Sequence, residues 1–257
     1  MERRASLSGK ELKETAPLLG ILGWEAGNKD TLAQLESVSG NIAHPDTFDF
    51  PVRYRRVDGA CYETVVVRPT PEVCEKMVRA ARELEKEGVR ALSTSCGFNA
   101  LFQKTLADAV NIPVFSSSLL QVPVVSRMLK KNQSVGIVTA NKPRLTDDHL
   151  EAVGITSTVP VSIYGIEETH EFSRVRSDPN AALNVIKMQE EILCIVQSLL
   201  KEHPETGAIV LECTDLPPFA SAIREITGLP VFDIVTLVYW VMDGLTGNRW
   251  PKIPLRE

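Results

Sequence analysis

Short apolar runs alternate with amphipathic helical patterns along the whole chain. Strands that alternate with helices are typical of βα units, in which the strands form a parallel sheet. The apolar runs predict four strands in each half of the sequence, at Leu18–Leu22, Glu63–Arg68, Val89–Thr94, Ile112–Phe115, Val135–Thr139, Thr158–Ile163, Ala208–Leu211 and Val231–Phe232. The pattern therefore predicts an α/β fold with short, mostly parallel sheets flanked by helices.

The predicted helices follow the same order in both halves. The clearest begins after Thr70, a suitable N-cap, has Pro71 in its first turn and ends near Gly88. A long helix at about 181–201 takes the corresponding place in the second half, and an apolar helix at 234–245 is expected to return to the first half. The segment 40–56, rich in Pro, Asp and His, is predicted to be a long loop of the kind that often has a function.

Two stretches match each other at a fixed offset, and each contains one cysteine. ALSTSCGFN around Cys96 reappears as AIVLECTDL around Cys213, and each stretch is followed by the tripeptide Pro-Val-Phe. The cysteines are 117 residues apart, as are the prolines of the two tripeptides, Pro113 and Pro230. A gene duplication explains this match, and it predicts two pseudo-symmetric half-domains with one thiol from each in the cleft between them.

The repeat also sets the predicted domain boundaries. The first half-domain is expected to comprise 17–116 together with the returning segment 234–250, and the second to comprise 117–233. Residues 1–16 are polar and are predicted to be a loose N-terminal arm.

Composition restricts the class of protein. With 44% hydrophobic and 24% charged residues, the 257-residue chain is ordinary for a globular protein, and its net charge of −5 with scattered Lys and Arg does not indicate nucleic-acid binding. Apolar runs stay below the roughly 18 residues that span a bilayer, so no membrane partner is expected. Five cysteines without paired spacing favour free thiols in the cytoplasm. A homo-oligomer is compatible with these features, which leave the oligomeric state open.

Cys96 and Cys213 each end an apolar strand and precede a predicted helix. Ligands of open α/β sheets bind outside the carboxyl ends of the strands. A helix that starts there presents free N–H groups, which lower the pKa of a thiol and attract a carboxylate. A single buried cysteine is commonly a small core residue. Two cysteines at equivalent positions of a repeat favour a catalytic role instead.

Several short motifs together resemble the aspartate/glutamate racemase superfamily, which also contains hydantoin racemases, maleate isomerases and arylmalonate decarboxylases. The motifs are the two strand-end cysteines, the Cys213-Thr214 step, the opening strand GILG at 20–23 and the strand VGIVT at 135–139. Their order and spacing cover the chain from about Leu18 to Gly244.

The resemblance implies a racemase or epimerase that needs neither a cofactor nor a metal. One cysteine, as the thiolate, would remove the Cα proton of a small carboxylate substrate, and the other, as the thiol, would protonate the opposite face. The resemblance further implies that the substrate is held by residues beside the cysteines and at the ends of neighbouring strands, namely Thr94, Ser95, Gly97, Asn99, Thr139, Asn141, Thr214, Asp215, Trp24 and Glu25.

Three departures from the glutamate racemase pattern concern the substrate. The Cys-Asn-Thr of glutamate racemases is here CGFN at 96–99, their Asp-Ser-Gly is GWEAG at 23–27, and their Cys-Thr-His is CTD at 213–215. Trp24 and Phe98 predict an apolar pocket wall, and Glu25 and Asp215 supply carboxylates that could orient the thiols or bind an ammonium group. A substrate other than glutamate is therefore expected.

Alternatives remain open at this level. A maleate-isomerase-like or arylmalonate-decarboxylase-like enzyme fits the same motifs, and so does a protein that binds a small acid without chemistry. A metal enzyme is disfavoured because the four histidines are far apart in sequence and form no ligand pair. The sequence also lacks a P-loop and a GxGxxG turn, so nucleotide binding of those kinds is not predicted.

Overall fold

A computed structural model describes residues 17–25, 34–178 and 180–247. The predicted N-terminal arm, 1–16, and the last part of the returning segment, 248–250, lie outside the described residues. The two predictions therefore remain untested for these residues.

The described chain forms two four-stranded parallel sheets of the same topology. The first has the strand order β2-β1-β3-β4 and consists of β1 (Leu19–Trp24), β2 (Val52–Val57), β3 (Ala91–Thr94) and β4 (Val114–Phe115). The second has the order β6-β5-β7-β8 and consists of β5 (Ser134–Thr139), β6 (Val161–Gly165), β7 (Thr206–Leu211) and β8 (Val231–Phe232). The predicted α/β architecture with two equivalent parallel sheets is confirmed.

The equivalence of the two sheets extends to single hydrogen bonds beside the cysteines. The N–H of Ser95, directly before Cys96, donates to the carbonyl oxygen of Leu22 at 2.9 Å. The N–H of Glu212, directly before Cys213, donates to the carbonyl oxygen of Val138 at 2.8 Å. In each half, the residue before the cysteine is therefore hydrogen-bonded to the end of the neighbouring central strand, β1 or β5. Both cysteines thus lie at the carboxyl edge of a sheet.

The second strand was predicted in the wrong place. Residues Tyr62–Val67 form a π-helical turn, and the strand lies earlier, at Val52–Val57, where it overlaps the end of the segment 40–56 that was predicted to be a loop. The run of β-branched residues at 64–67 favours a strand by propensity, but Val65 and Val66 are instead buried in the core beneath the turn. The strand that forms instead lies at the edge of the sheet, and its three arginines obscure the alternation of apolar and polar residues in the sequence. One of them, Arg55, pairs with Glu83 at 2.5 Å.

The helix after this turn has the predicted ends. It spans Pro71–Lys86, the Thr70 hydroxyl accepts a hydrogen bond of 3.3 Å from the N–H of Val73, and Gly88 has a φ of 93°. The other helices lie at Gln103–Asp108, Val122–Met128, Asp147–Ala152, His170–Ser177, Val185–Glu202, Ala220–Thr227 and Ile234–Thr246. Short 3₁₀ turns lie at Gly97–Phe102, Ser118–Gln121, Lys142–Arg144 and Pro217–Phe219.

The two halves pack against each other through a shared core. One cluster of buried side chains contains Leu22 and Leu92 of the first sheet together with Val135 and Val210 of the second. The last helix, Ile234–Thr246, packs on the outer face of the first sheet, as its apolar pattern predicts. Within the described ranges, the structure contains no helix that is both long and apolar enough to cross a membrane.

Candidate active site

One cavity of about 360 Å³ lies where the carboxyl ends of strands from both sheets meet. Trp24 ends β1 and Ala140 follows β5, while Cys96 and Cys213 follow β3 and β7, and all four line this cavity. The duplicated turns thus deliver one thiol each to the same space. This edge of a parallel sheet is also where such folds bind their ligands.

Most of the residues expected at the site line the cavity. Both cysteines do so, together with Trp24, Glu25, Ser95, Gly97, Thr214 and Asp215. Thr94, Asn99 and Thr139 are fully buried and lie outside the lining. Asn141 also lies outside the lining, but its Nδ2 donates to the hydroxyl oxygen of Tyr62, a lining residue, at 2.7 Å.

Two of the residues outside the lining, Thr94 and Thr139, use their hydroxyl groups for hydrogen bonds within the fold. The Thr94 hydroxyl donates to the carbonyl oxygen of Ser116 at 2.7 Å and so ties the end of β3 to the segment after β4. The Thr139 hydroxyl donates to Glu212 at 2.7 Å. The Asn99 side chain is enclosed within the turn Gly97–Phe102 and has no hydrogen-bond partner among the described residues. Thr94 and Thr139 therefore hold residues next to the cavity in place through hydrogen bonds.

Burial dominates the ionisation of the Cys96 thiol. Its loss of hydration and the nearby carboxylate of Glu212 raise the pKa of Cys96 well above the usual value. Hydrogen bonding by the backbone N–H groups of Phe98 and Asn99 lowers the pKa, but by less. The sequence predicted that the N–H groups of the following turn would make this thiol more acidic. That prediction is wrong, because the effect of burial on the pKa outweighs the effect of these N–H groups.

Cys213 has a similar environment with a different carboxylate beside it. Burial, followed by the charge of Asp215 and then that of Glu212, raises the pKa of the Cys213 thiol well above its usual value. The thiol donates to Asp215 Oδ2 over 3.7 Å. The charge of Cys96 also raises the pKa of Cys213, so the two thiols affect each other across the cavity.

Asp215 is held by a residue from the segment that was predicted to be a functional loop. Burial raises the pKa of Asp215 to about 6, and the side-chain amide of Asn41 donates to its Oδ1 at 2.7 Å. Asn41 is itself almost fully buried and lines the cavity. Asn41 lies in the segment 40–56 that was predicted to be a functional loop, although the sequence did not single out this residue.

Glu212 was overlooked in the sequence. It is fully buried, and burial raises the pKa of its carboxyl to about 7. Its Oε2 accepts from the Thr139 hydroxyl at 2.7 Å and from the N–H of Ala140 at 3.4 Å. Its Oε1 is buried without a hydrogen-bond partner among the described residues. The available signal was an acidic residue directly after the buried run AIVL, a position where charged residues are rare.

The cavity walls are aromatic and acidic. Phe172 and Arg176 lie one turn apart on the helix His170–Ser177 and both line the cavity, with the guanidinium of Arg176 4.8 Å from the ring centre of Tyr62. Arg176 is the one Lys or Arg among the described lining residues, which include five carboxyl groups, from Glu25, Glu36, Glu63, Glu212 and Asp215. Two of these carboxyl groups are paired with arginines outside the lining, Glu36 with Arg56 at 2.6 Å and Glu63 with Arg68 at 2.9 Å. The cavity therefore favours a cationic group.

Within the parts of the chain that the structure describes, no group of three or more His, Cys, Asp or Glu side chains is arranged to hold a metal ion.

Sequence comparison gives two kinds of similarity. The model of the Asp/Glu/hydantoin racemase family matches residues 62–242. A dimethylsulfoniopropionate lyase of Durusdinium sp. clade D is 29% identical over 265 residues, which covers 100% of this chain and 84% of that protein. Dimethylsulfoniopropionate lyase 3 of Emiliania huxleyi (strain CCMP1516) is 29% identical over 218 residues, covering 81% of this chain. The chain matches only 56% of the length of that Emiliania protein.

Solved structures with the same architecture include racemases and a decarboxylase. Allantoin racemase from Pseudomonas fluorescens superposes with a TM-score of 0.58 at 17% identity, covering 88% of this chain and 89% of that one. A variant of arylmalonate decarboxylase superposes with a TM-score of 0.57 at 20% identity, covering 93% of this chain and 97% of that one. Aspartate racemase from Picrophilus torridus gives 0.56 at 14% identity, with 92% and 96% covered. At these identities the likeness establishes the fold alone.

Proposed function

Because the chain belongs to the Asp/Glu/hydantoin racemase family, we propose that it is an enzyme that removes a proton from the carbon next to a carboxylate. A cysteine thiolate acts as the base. The observation that carries this proposal is that Cys96 and Cys213, from equivalent turns of two equivalent sheets, line one cavity. A thiolate suits the task because its basicity at neutral pH exceeds that of an ordinary carboxylate. The proposed reaction uses no organic cofactor and no metal.

The reaction that we propose is a β-elimination from a carboxylate with a sulfonium leaving group, dimethylsulfoniopropionate. The thiolate takes a proton from C2, and a new S–H bond forms as the C–H bond breaks. The electron pair of that C–H bond becomes the C2–C3 double bond. The bond between C3 and the sulfonium sulfur breaks, and its electrons leave with the sulfur. The products are dimethyl sulfide and acrylate, and the substrate proton remains on the cysteine.

The charge and shape of the cavity support a substrate with a cationic end. A sulfonium group is attracted by aromatic faces, which Trp24, Tyr62 and Phe172 provide, and by the surrounding carboxylates. The carboxylate end of the substrate needs a cationic partner, and Arg176 supplies it with a planar guanidinium that can donate two parallel hydrogen bonds. The similarity to the Durusdinium lyase over the full length of this chain supports the same substrate class.

A cationic substrate also explains how such weakly acidic thiols become bases. Burial and neighbouring carboxylates raise the pKa of both thiols. A sulfonium group that enters the cavity adds a positive charge close to the sulfur atoms, and an opposite charge at short range favours ionisation. The base is then formed chiefly when substrate is bound.

Racemisation is a second candidate, supported by the equivalence of the two thiols. β-Elimination needs only one base, whereas racemisation needs an acid and a base on opposite faces of the carbon. The matching positions of Cys96 and Cys213 after β3 and β7 fit such a pair. In this reaction one cysteine takes the Cα proton as the thiolate and the other returns a proton as the thiol.

The lining residues Trp24, Glu25, Ser95, Gly97, Thr214 and Asp215 remain our proposal for the substrate contacts of either reaction. Thr94, Asn99 and Thr139 lie behind the lining, and we assign them no substrate contact.

A substrate screen separates the two reactions. The protein is incubated with dimethylsulfoniopropionate, and dimethyl sulfide is measured in the headspace and acrylate by NMR. In parallel, α-proton exchange in D₂O is followed on both enantiomers of amino acids and on hydantoins. We expect acrylate and dimethyl sulfide in equal amounts. Exchange of both enantiomers without elimination supports the racemase instead. Binding of these compounds, seen as thermal stabilisation, without either reaction would contradict enzymatic activity on them.

A further inference from the structure

The carboxyl group of Glu212 lies where the two halves of the site meet. It follows β7, is fully buried, and is anchored through Oε2 by the hydroxyl of Thr139 at the end of β5 at 2.7 Å. Its Oε1 also lies inside the protein but has no hydrogen-bond partner among the described residues. A buried carboxyl oxygen without a partner is costly, so this arrangement requires an explanation.

The unpaired oxygen lies directly against the turn that contains the other thiol. A Cβ atom placed on Gly97 would lie 2.1 Å from Glu212 Oε1 and 2.3 Å from the Glu212 carbonyl oxygen. Only glycine allows so close an approach at this position. Gly97 immediately follows Cys96, so the contact places the Glu212 carboxyl of the second half beside the turn that contains the cysteine of the first half.

Each thiol has its own carboxyl neighbour. Burial is the largest cause that raises the pKa of each thiol. The second largest cause is the charge of Glu212 for Cys96 and the charge of Asp215 for Cys213. Asp215 already makes a contact of 3.7 Å with the Cys213 thiol. Cys96, Cys213 and Asp215 are the ionisable groups next to Glu212; the other ionisable side chains of the described lining are Glu25, Glu36, Cys61, Tyr62, Glu63 and Arg176.

We propose that Glu212 accepts the proton of the Cys96 thiol at the start of each turnover, so that the two side chains share one proton. The inference rests on the proposed function, because it makes Cys96 the base. In the step, the S–H bond of Cys96 breaks, its electron pair stays on sulfur, and an O–H bond forms on Glu212 Oε1. Glu212 acts through Cys96 and is in this sense a positioning residue.

The physical reason is conservation of charge in a buried site. Moving the thiol proton to bulk water while Glu212 is ionised would leave two negative charges side by side in the cavity, which low polarity makes costly. Moving the same proton to Glu212 leaves one negative charge before and after the step. Once Cys96 has taken the substrate proton, both groups are protonated, and release of one proton to water restores the starting state.

The shared proton has a signature that does not depend on substrate. The alkylation rate of Cys96 by iodoacetamide measures its thiolate fraction, and peptide mass spectrometry separates it from Cys213. In the wild type we expect the rate to rise about tenfold per pH unit below about pH 7 and then to flatten. The flattening arises because ionisation of Glu212 suppresses further ionisation of the thiol. Asp215 is present in the wild type and in all the variants, so its titration does not produce a difference between their pH profiles.

The decisive variant is Glu212→Gln. With no carboxyl to ionise, its Cys96 rate should keep rising through pH 7 to 9, and at pH 8 it should exceed the wild-type rate by about tenfold. Below pH 6 the two rates should agree. A purely structural role for Glu212 would change the rate by a similar factor at every pH. Glu205→Gln, which removes an exposed carboxyl near the opposite end of β7, serves as the matched control and should keep the flattening.

A second variant decides the question if Glu212→Gln does not fold, as judged from its melting curve. The Thr139 hydrogen bond lowers the pKa of Glu212, so Thr139→Val should move the flattening to higher pH. Three results would each overturn the proposal. The wild-type alkylation rate could rise with pH without flattening, or the flattening could persist in Glu212→Gln. The flattening could also occur at the same pH in Thr139→Val as in the wild type. Because alkylation needs no substrate, these results stand whether or not the protein acts on dimethylsulfoniopropionate.

Discussion

The hydroxyl of Thr214 donates a hydrogen bond of 2.6 Å to the carbonyl oxygen of Ser95. Thr214 follows Cys213 and Ser95 precedes Cys96, so this bond joins the two cysteine turns directly. Both residues line the cavity, and Thr214 is buried. This contact between the two halves therefore contributes directly to the relative position of the two thiols.

Replacing Thr214 by valine should impair catalysis more than stability. The substitution keeps the shape of the side chain but leaves the Ser95 carbonyl without this donor, and we expect a loss of about 1–2 kcal/mol in the free energy of unfolding. Turnover should fall by at least about tenfold, because small displacements of catalytic groups are costly. Thr214→Ser, which keeps the hydroxyl, is the control and should retain most of the activity. Equal turnover in the valine variant and the wild type would show that the contact is not needed.

Arg176 is predicted to bind the substrate carboxylate. Its side chain is exposed at the cavity and stacks over Tyr62, so Arg176→Met should leave the melting temperature nearly unchanged. We expect KM to rise by about tenfold or more, from the loss of a charge-assisted hydrogen bond worth about 1.5–3 kcal/mol. Arg127→Met, an exposed arginine outside the lining, is the matched control. An unchanged KM for Arg176→Met in steady-state kinetics would show that Arg176 does not bind the substrate carboxylate.

The buried carboxyls predict a specific dependence of stability on pH. Burial raises the folded-state pKa of Asp215 to about 6 and that of Glu212 to about 7, above their ordinary values of 3.8 and 4.5. Between the ordinary and the raised pKa the folded state holds more protons than the unfolded state. These two groups therefore make the protein less stable as pH rises from about 4 to about 7.

Glu212→Gln tests this dependence. Denaturant unfolding at pH 4 and pH 8 should show that the free energy of unfolding of the variant, relative to wild type, increases with pH by on the order of 3 kcal/mol. Glu205→Gln should show no comparable trend. A constant difference between Glu212→Gln and the wild type at the two pH values would mean that Glu212 ionises normally in the folded protein.

The features of the fold that repeat within the sequence could be predicted from it. The matching stretches around Cys96 and Cys213 predicted two equivalent halves, and the ends of the helix Pro71–Lys86 followed from its capping residues. The second strand was misplaced because β-branched residues at 64–67 favour a strand locally, whereas packing of Val65 and Val66 against the core favours a helical turn.

Other parts of the site depend on contacts between distant segments. Asn41 meets Asp215 across 174 positions of the chain, and Arg176 reaches the cavity from a helix with no repeat or motif of its own. Glu212 had a local signal, but its approach to Gly97 exists only in three dimensions. These residues could not be assigned from the sequence because the interactions that define them form only when the two halves pack together.

The central claim is that the Cys96 thiolate removes the substrate proton. Its most direct test is acrylate formation from dimethylsulfoniopropionate by the wild type, Cys96→Ser and Cys194→Ser, the last replacing an exposed cysteine on the helix Val185–Glu202. A serine hydroxyl is far too weak a base at neutral pH. We predict that Cys194→Ser forms acrylate at the wild-type rate and that folded Cys96→Ser is at least about 10³-fold slower. Acrylate formation by folded Cys96→Ser at the wild-type rate would contradict the account.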